Sequence, residues 1–221
     1  MQTKIDPRSL GRVVVLMGGM SSEREVSLSS GAGVLKALKD RGVEAEAFDP
    51  AEKKLSELEA GHYDRAFIAL HGRFGEDGTI QGVLEYLGLP YTGPGVQASA
   101  VAIDKSATRI VWQAAGLPVA KGLTVTSADE AGRVVRKLGS SVVVKPDNEG
   151  SSIGVTKLKD ATEADIREAL ETALKLDRRV LVEKRVFGRE FTVAILNGKA
   201  QAIIEIKAPE GDYDYRNKYF G

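Results

Sequence analysis

The segment at 145–154 has the composition of a loop that binds an anion. It reads KPDNEGSSIG and lies between two apolar runs that predict strands. Glycine permits tight turns, so the N–H groups of the Gly-Ser-Ser-Ile-Gly turn can converge on a phosphate. Lys145 ends the apolar run at 142–144, where an ammonium is costly unless a negative group meets it. The pattern predicts a phosphate site, although an ordinary hairpin loop with a surface lysine has the same composition.

A second candidate is the charged end of the strand predicted at 180–183. Glu183 and Lys184 end the apolar run, Val186 follows, and Glu190 opens the next strand. Such a strand end can present backbone groups to a nucleobase and a carboxylate to a ribose. A solvated strand end in which Glu183 pairs with Lys184 fits the same residues and contributes only about 0–1 kcal/mol. Taken alone, the residues favour this second, purely structural interpretation.

Glu23 and His71 each follow a strand of a predicted parallel sheet, at the edge where ligands of such sheets bind. Glu23 lies in the first turn of a predicted helix, where the helix dipole favours a carboxylate whether or not it has a function. His71 lies in the glycine-rich segment at 71–78, which suggests a loop shaped for close approach. The pattern leaves open whether His71 is a general base, a carboxylate clamp or a structural polar residue.

Lys105 opens the helix that follows Asp104. A lysine at a helix N-terminus opposes the helix dipole, and an anion that bridges it would remove the conflict. An exposed lysine without a function is the plain alternative.

The glycine pair at 18–19 superficially resembles the turn of a dinucleotide-binding fold. It follows a strand, and Asp49 stands at the end of the next strand. However, the segment GGMSS lacks the G-x-G-x-x-G spacing that lets a pyrophosphate approach the helix. A nicotinamide-dependent oxidoreductase is therefore the weakest hypothesis that we retain.

In the first half of the chain, strands alternate with helices. Apolar runs predict strands at 12–17, 43–48 and 65–70, and helical periodicity predicts helices at 22–41 and 79–87. Ser22 and Glu25 have the spacing of a capping box at the start of the first helix. Alternating elements imply parallel βαβ units, so we expect residues 1–103 to form a doubly wound α/β domain with helices on both faces of its sheet.

From residue 104 onward the pattern changes. We predict helices at 104–115, after Ser127 and at 162–174, with strands at 119–125, 141–145, 153–158 and 180–183. Asn197 and Gly198 separate two alternating apolar runs, which is the strongest short-range signal for a hairpin. We expect residues 104–207 to form an α+β domain, an antiparallel sheet with helices on one face. The polar, tyrosine-rich segment at 208–221 predicts a loop.

The composition excludes several classes of function. Lysine plus arginine and aspartate plus glutamate both number 31, so the net charge is zero and no basic field favours nucleic acid. The absence of cysteine excludes thiol catalysis, disulfides and cysteine-ligated zinc. No apolar run approaches the roughly 20 residues of a membrane span, and no signal segment precedes residue 12. We expect a cytoplasmic protein without membrane or nucleic-acid partners.

Over essentially its whole length, the chain resembles the D-alanine–D-alanine ligase family of the ATP-grasp superfamily. The resemblance rests on GGMSSEREVS at 18–27, ALHGRFGEDG at 69–78, LPYTG at 89–93, the Asp-Lys pair at 104–105, the segment from VKP to GSSIG at 144–154, EFTVAIL at 190–196 and YDYRNKY at 213–219. Each motif alone is modest evidence for the family, but the order and spacing of the motifs together are highly specific.

The resemblance implies that the second domain is the central, nucleotide-binding ATP-grasp domain. Lys105 and Lys145 would contact the phosphates of ATP, and Ser151 and Ser152 in the glycine loop would cover them. The remaining implied contacts hold the nucleoside: Glu183, Lys184 and the backbone of Val186 at the adenine, and Glu190 at the ribose hydroxyls.

The resemblance also implies ligation of two D-alanines to D-alanyl-D-alanine, through an acyl phosphate, for peptidoglycan precursors. Glu23 would bind the ammonium group of the first D-alanine, and His71 would lie near its carboxylate. The implied catalytic set is Glu23, Ser151, Lys218 and Tyr219, the last two in a loop that closes over the site and couples Tyr219 to Ser151 and Glu23. A tyrosine at this position is typical of ligases whose second substrate is D-alanine, so a D-alanyl-D-lactate or D-serine ligase is the weaker alternative.

The chain departs from the family pattern at its end. The family continues with an arginine and with Asp, Glu and Asn ligands for Mg²⁺, and no such segment follows Tyr219 here. We expect the Mg²⁺ ligands in a C-terminal part beyond these residues, none within this chain, and no turnover from these residues alone. A non-catalytic nucleotide-binding fragment is therefore an alternative function. The resemblance also implies a homodimer.

Overall fold

The computed structural model describes residues 6–207, so the predicted loop at 208–221, with Lys218 and Tyr219, lies outside the described residues. The chain divides into two compact units, Met1–Val111 and Trp112–Gly221. The helices of the described part are α1 (Arg24–Asp40), α2 (Ser56–Ala60), α3 (Thr79–Tyr86), α4 (Val96–Ile103), α5 (Lys105–Ala114), α6 (Ala131–Leu138) and α7 (Glu163–Leu174). The strands are β1 (Arg12–Leu16), β2 (Glu44–Phe48), β3 (Arg65–Ile68), β4 (Gly122–Val125), β5 (Val142–Pro146), β6 (Thr156–Lys157), β7 (Val180–Lys184), β8 (Glu190–Leu196) and β9 (Lys199–Ile206). Within residues 6–207, no helix is both long and apolar enough to cross a membrane.

The first unit contains a parallel sheet in the order β2-β1-β3. Successive side chains of β1 point to opposite faces, because a strand repeats every second residue. Val14 packs in one cluster with Leu84 of α3, whereas Val13 packs in another with Leu38 of α1. Helices therefore cover both faces, which confirms the doubly wound parallel sheet.

The second unit contains an antiparallel sheet in the order β4-β7-β5-β6. Val144 of β5 and Val182 of β7 are 0% exposed and form a cluster with Val134 of α6 and Leu170 of α7. These two helices cover one face of the sheet, which confirms the expected α+β arrangement. The odd-numbered residues of β5 and β7 point to the other face, because side chains alternate along a strand.

β8 and β9 form a separate antiparallel pair. At the turn between them, Asn197 and Gly198 have φ values of 49° and 73°. A two-residue hairpin turn of type I′ requires positive φ at both positions, and Asn-Gly is its preferred sequence. The hairpin predicted from this dipeptide is confirmed.

Several details differ from the expectations. The N-cap of α1 is Glu23, whose side chain makes no capping hydrogen bond, so the prediction of Ser22 as the N-cap is wrong by one residue. The strand predicted at 153–158 is reduced to Thr156–Lys157, because the chain just before it turns through positive φ values, which strands do not adopt. α2 and α4 are not predicted by the sequence pattern, since α2 is one turn long and α4 consists largely of small residues without a distinct apolar face.

Candidate functional site

The glycine loop at 145–154 begins on the face of the second sheet that the helices leave open. There the ammonium nitrogen of Lys145 lies 2.6 Å from Oε2 of Glu183. The strand register pairs Val143 with Glu183 and Lys145 with Leu181, so Lys145 and Glu183 are diagonal neighbours on one face. This carboxylate is a negative group that meets Lys145. Lys184 is adjacent to Glu183 in β7 and therefore points to the opposite face.

Two carboxylates anchor the first half of the glycine loop. Oδ2 of Asp177 accepts hydrogen bonds from the backbone N–H and from the side-chain amide of Asn148, each at 2.8 Å. Asp147 is 0% exposed, and its Oδ2 lies 2.9 Å from the guanidinium of Arg179. Burial alone would raise the pKa of Asp177, but hydrogen bonds from Asn148 and from the backbone at Arg179 hold this pKa below its ordinary value. These contacts fix the beginning of the loop to the segment that precedes β7.

The second half of the glycine loop has a strained backbone. Ser151 and Ser152 have φ values of 48° and 61°, and Gly154 has 68°. A residue other than glycine costs roughly 1–2 kcal/mol in the left-handed region. Such residues occur preferentially at functional sites, where the surrounding structure enforces them. Ser151 and Ser152 are half-buried, so a ligand can reach this part of the loop.

The other residues predicted for the nucleoside lie along the chain after Glu183. Lys184 closes β7, and its N–H donates to the carbonyl oxygen of Lys121 at 2.7 Å. Val186 is 76% exposed in the connection to β8, and Glu190 opens β8 with an exposed side chain. The structure therefore brings Lys145 and Glu183 into contact and leaves Val186 and Glu190 on the surface of the second unit.

In the first unit, Glu23 and His71 lie side by side at the carboxyl ends of β1 and β3. Glu23 is 2% exposed, and a Cβ atom added to Gly72 would lie 2.6 Å from its Oε2. The carboxylate thus packs against the residue next to His71. The imidazole is 28% exposed, with Nδ1 3.7 Å from Oε1 of Glu76 and Nε2 3.3 Å from Oγ of Ser30. A buried carboxylate and a partly accessible imidazole share this edge of the sheet.

Arg24 and Asp49 brace the turn before Glu23, a role that the local sequence pattern does not predict. Oδ1 of Asp49 accepts a hydrogen bond from the N–H of Gly19 at 3.0 Å, and Oδ2 lies 2.7 Å from the guanidinium of Arg24. Arg24 also donates to the carbonyl oxygen of Gly19 at 2.9 Å. Burial alone would raise the pKa of Asp49, but the hydrogen bonds from Arg24, Gly19 and Ala51 lower it below its ordinary value. The sequence feature that could have indicated this role is the position of Asp49 at the end of β2, where the pattern also resembles that of a dinucleotide-binding fold.

The same turn borders a cavity of about 240 Å³. Ser21 and His71 contribute to its wall, together with the apolar side chains of Leu70, Phe74 and Ile80. The carboxyl edge of the first sheet is therefore concave, as expected where a parallel sheet binds a ligand.

Lys105 is the first residue of α5. Asp104, which precedes it, accepts a hydrogen bond from the N–H of Ala107 at 2.8 Å and so satisfies a free amide at the start of the helix. Lys105 belongs to the first unit and Lys145 to the second, so their joint contact with one triphosphate stays a prediction.

A doubly wound parallel domain is followed by an antiparallel α+β unit whose open face carries a lysine, a carboxylate and a glycine loop. This combination defines an ATP-grasp protein. The family models described as "D-ala D-ala ligase N-terminus" and "D-ala D-ala ligase C-terminus" match residues 42–94 and 111–221. The chain belongs to the D-alanine–D-alanine ligase family.

Individual relatives agree with this assignment. The chain is 53% identical to the D-alanine–D-alanine ligase of Acidovorax ebreus, over 98% of this chain and 66% of that protein. It is also 53% identical to the ligase of Delftia acidovorans, over 99% of this chain and 68% of that protein. The crystal structure of D-alanine–D-alanine ligase from Bacillus anthracis complexed with ATP matches with a TM-score of 0.77 at 35% identity, over 90% of this chain and 67% of that one. The chain thus spans 66–68% of the length of these proteins.

Proposed function

We propose that the protein joins two D-alanines into D-alanyl-D-alanine with cleavage of ATP, in the cytoplasm, for peptidoglycan precursors. The observation that carries the proposal is the presence, in a chain of this family, of the two kinds of site that the reaction needs. The second unit offers an ammonium and a glycine loop for a polyanion. The first unit offers a buried carboxylate beside an imidazole for an amino acid.

ATP is proposed to bind along the open face of the second sheet. A phosphate would bind the ammonium group of Lys145, which pairs with Glu183, and charge-assisted hydrogen bonds to phosphate are strong. The N–H groups of Ser151 and Ser152 would cover the phosphates, as consecutive amides in left-handed turns do in anion sites. The other proposed contacts are Lys105 at the phosphates, Glu183 and the backbone of Lys184 and Val186 at the adenine, and Glu190 at the ribose; the side chain of Lys184 points to the other face of β7. The B. anthracis ligase is complexed with ATP, which supports ATP as the ligand.

The first D-alanine is proposed to bind at the carboxyl edge of the first sheet. Its ammonium group would face Glu23, because opposite charges attract most strongly where a carboxylate is shielded from water. His71 is accessible enough to approach the substrate carboxylate, and Glu76 and Ser30 orient its ring.

The reaction needs no nucleophile from the protein. A carboxylate oxygen of the first D-alanine attacks the γ-phosphorus of ATP. The bond between this phosphorus and the bridging oxygen breaks, ADP departs, and D-alanyl phosphate, an acyl phosphate, is formed. The amine of the second D-alanine attacks the acyl carbon and loses a proton, and phosphate leaves as the peptide bond forms. The protein contributes position and charge neutralisation. Because an acyl phosphate hydrolyses readily, we also propose that Lys218 and Tyr219, which lie outside the described residues, help Ser151 and Glu23 to close the site against water.

Mg²⁺ and a homodimer are further proposals that the family resemblance implies. Among residues 6–207, no group of three or more His, Asp or Glu residues is arranged to hold a metal ion. Mg²⁺ in nucleotide sites commonly has one or two protein carboxylates beside the phosphate oxygens, and none of the steps above passes through a metal.

Phosphate release by the complete protein tests the proposed function. We expect release from ATP to depend on D-alanine and D-alanyl-D-alanine to accumulate. Lys145→Ala should weaken ATP binding about 10- to 100-fold, because a charge-assisted contact contributes about 1.5–3 kcal/mol. Lys159→Ala, which changes an exposed lysine of the same unit, is the matched control and should leave ATP binding unchanged.

Other outcomes would assign a different function. ATP binding without D-alanine-dependent phosphate release would favour a non-catalytic nucleotide-binding protein. Faster release with D-lactate or D-serine as the second substrate would identify the other type of ligase. Binding of a nicotinamide dinucleotide in preference to ATP would contradict the proposal altogether.

A further inference from the structure

Three serines near the start of α1 reach across to the end of β3. The hydroxyl of Ser27 bonds to Ala69, that of Ser21 bonds to the backbone of His71, and that of Ser30 lies 3.3 Å from the ring of His71. All three belong to the first unit, so their geometry depends on that unit alone. They connect the segment that carries Glu23 to the segment that carries His71.

Ser27 joins the two segments at the point where β1 and β3 diverge into their loops. It is 0% exposed, and its Oγ accepts a hydrogen bond from the N–H of Gly18 at 2.8 Å and donates to the carbonyl oxygen of Ala69 at 2.7 Å. One buried hydroxyl therefore satisfies a donor from one segment and an acceptor from the other. Its removal would leave both buried groups without this partner, which native proteins rarely tolerate.

Ser21 contacts the backbone of both residues proposed for the first D-alanine. Its hydroxyl donates to the carbonyl oxygen of His71 at 2.7 Å and accepts a hydrogen bond from the N–H of Glu23 at 3.2 Å. A Cβ atom on Gly72 would lie 3.4 Å from Oγ of Ser21 and 2.6 Å from Oε2 of Glu23. The two segments are thus in close contact as well as hydrogen-bonded.

We propose that Ser21 and Ser27 are positioning residues that hold Glu23 and His71 as one rigid substrate-binding unit. The inference rests on the proposed function, in which Glu23 and His71 bind the first D-alanine. Each serine acts through the backbone of the segments that carry those residues. The ammonium and carboxylate of D-alanine are separated by a single carbon atom, so the groups that grip them must keep their spacing to within about 0.5 Å.

Steady-state kinetics of the complete protein test the proposal with Ser21→Ala and Ser27→Ala. We expect both changes to raise the KM for D-alanine about 10- to 100-fold, the effect of misplacing a binding group by about 1 Å. The KM for ATP should be unchanged, because the phosphate-binding groups lie on other segments. Ser21→Thr keeps the hydroxyl and should restore most of the wild-type KM. Ser29→Ala, on the exposed side of α1, is the matched control and should behave as wild type.

Nuclear magnetic resonance of the imidazoles gives a readout that does not depend on turnover. His62 and His71 are the two histidines of these 221 residues, and His62→Gln and His71→Gln variants each assign one of the two rings. We expect Ser21→Ala to shift the ring resonances of His71 in the absence of substrate and to leave those of His62 in place. D-alanine should then shift the His71 resonances at concentrations about 10- to 100-fold higher than in the wild type. Because Ser27 is buried, a circular dichroism spectrum and a cooperative unfolding transition like those of the wild type are required to show that Ser27→Ala is folded.

The outcomes separate the inference from the function on which it rests. Wild-type values of the KM for D-alanine and of the His71 resonances in both alanine variants would overturn the inference. An equal rise in the KM values for D-alanine and ATP would overturn it too, because it would indicate a general structural role. Failure of the wild-type protein to release phosphate in response to D-alanine would overturn the proposed function instead.

Discussion

The substrate turn at 18–23 and the glycine loop at 145–154 both carry predicted ligand-binding groups, yet the protein holds them differently. The backbone amides of the substrate turn bond to Ser27, which is 0% exposed, and to Asp49, whose side chain is 11% exposed. The glycine loop is anchored near its beginning, where Asn148 donates hydrogen bonds to Asp177 of the segment before β7, and its far half is strained and half-buried. Among the contacts described above, those of the substrate turn run along its length, and the ionic and side-chain contacts of the glycine loop lie near its beginning.

The difference matches the two ligands that we propose. D-alanine is small and offers two charged groups at a fixed spacing, so a site for it gains from groups that are already in place. ATP is long and multiply charged, and a reactive intermediate must be covered after it forms, which favours a loop that can adjust. The comparison predicts that changes to residues that contact the substrate turn have larger and more selective effects on KM than changes near the beginning of the glycine loop.

The largest effect is expected for Gly72→Ala. Gly72 has φ +64°, and an added Cβ would lie 2.6 Å from Oε2 of Glu23. The backbone cost is about 1–2 kcal/mol, and the displaced carboxylate should raise the KM for D-alanine by about 100-fold. Chemical unfolding and steady-state kinetics measure the two effects separately.

Gly88→Ala separates the backbone effect from the contact. Gly88 has φ +66° and nothing within 4 Å of an added Cβ, so this variant carries a similar backbone cost without touching Glu23. We expect a similar loss of stability and an unchanged KM for D-alanine. Equal KM values for D-alanine in Gly72→Ala and Gly88→Ala would show that the carboxylate of Glu23 is not held as tightly as we argue.

An intermediate effect is expected for Asp49→Asn. A buried carboxylate that accepts hydrogen bonds from Arg24 and from backbone N–H groups should contribute about 1.5–3 kcal/mol to the free energy of unfolding at neutral pH. Because its pKa is lowered by folding, this contribution is complete above the unfolded-state pKa, about 4, and is lost as the pH falls through the lower folded-state pKa. Urea unfolding at pH 7 and at several values below pH 4 should show the wild type and the variant converging in acid. If the free energies of unfolding of the wild type and of Asp49→Asn differed by the same amount at every pH, the role of Asp49 would be contradicted.

The smallest of the three effects is expected for Asp177→Asn, which keeps one side-chain oxygen and removes the charge. We expect a loss of about 0.5–1.5 kcal/mol in the free energy of unfolding and a rise of a few fold in the KM for ATP. The matched control is Asp129→Asn, since Asp129 is 86% exposed in its ion pair with Arg167, and exposed pairs contribute little. If Asp177→Asn changed the KM for ATP more than Gly72→Ala changed the KM for D-alanine, the order of rigidity that we infer would be reversed.

Local signals in the sequence were reliable where one segment contains all the groups involved. The Asn197–Gly198 turn needs positive φ at both positions, and its own residues meet that requirement. The helix predicted from Thr162 begins there with a capping box between Thr162 and Asp165. By contrast, the local pattern predicts Ser22 as the N-cap of α1, whereas the N-cap is Glu23, whose side chain makes no capping hydrogen bond.

The sequence by itself determined the doubly wound first unit, the antiparallel second unit and the family, because alternation, periodicity and motif order are properties of the chain in one dimension. Only the tertiary structure decided that Lys145 meets Glu183, that Asp49 braces the substrate turn, and that serines of α1 bind the end of β3. These contacts join residues that are 30 to 42 positions apart or lie on different strands. Such pairings depend on strand register and on close packing, which no local pattern of residues encodes.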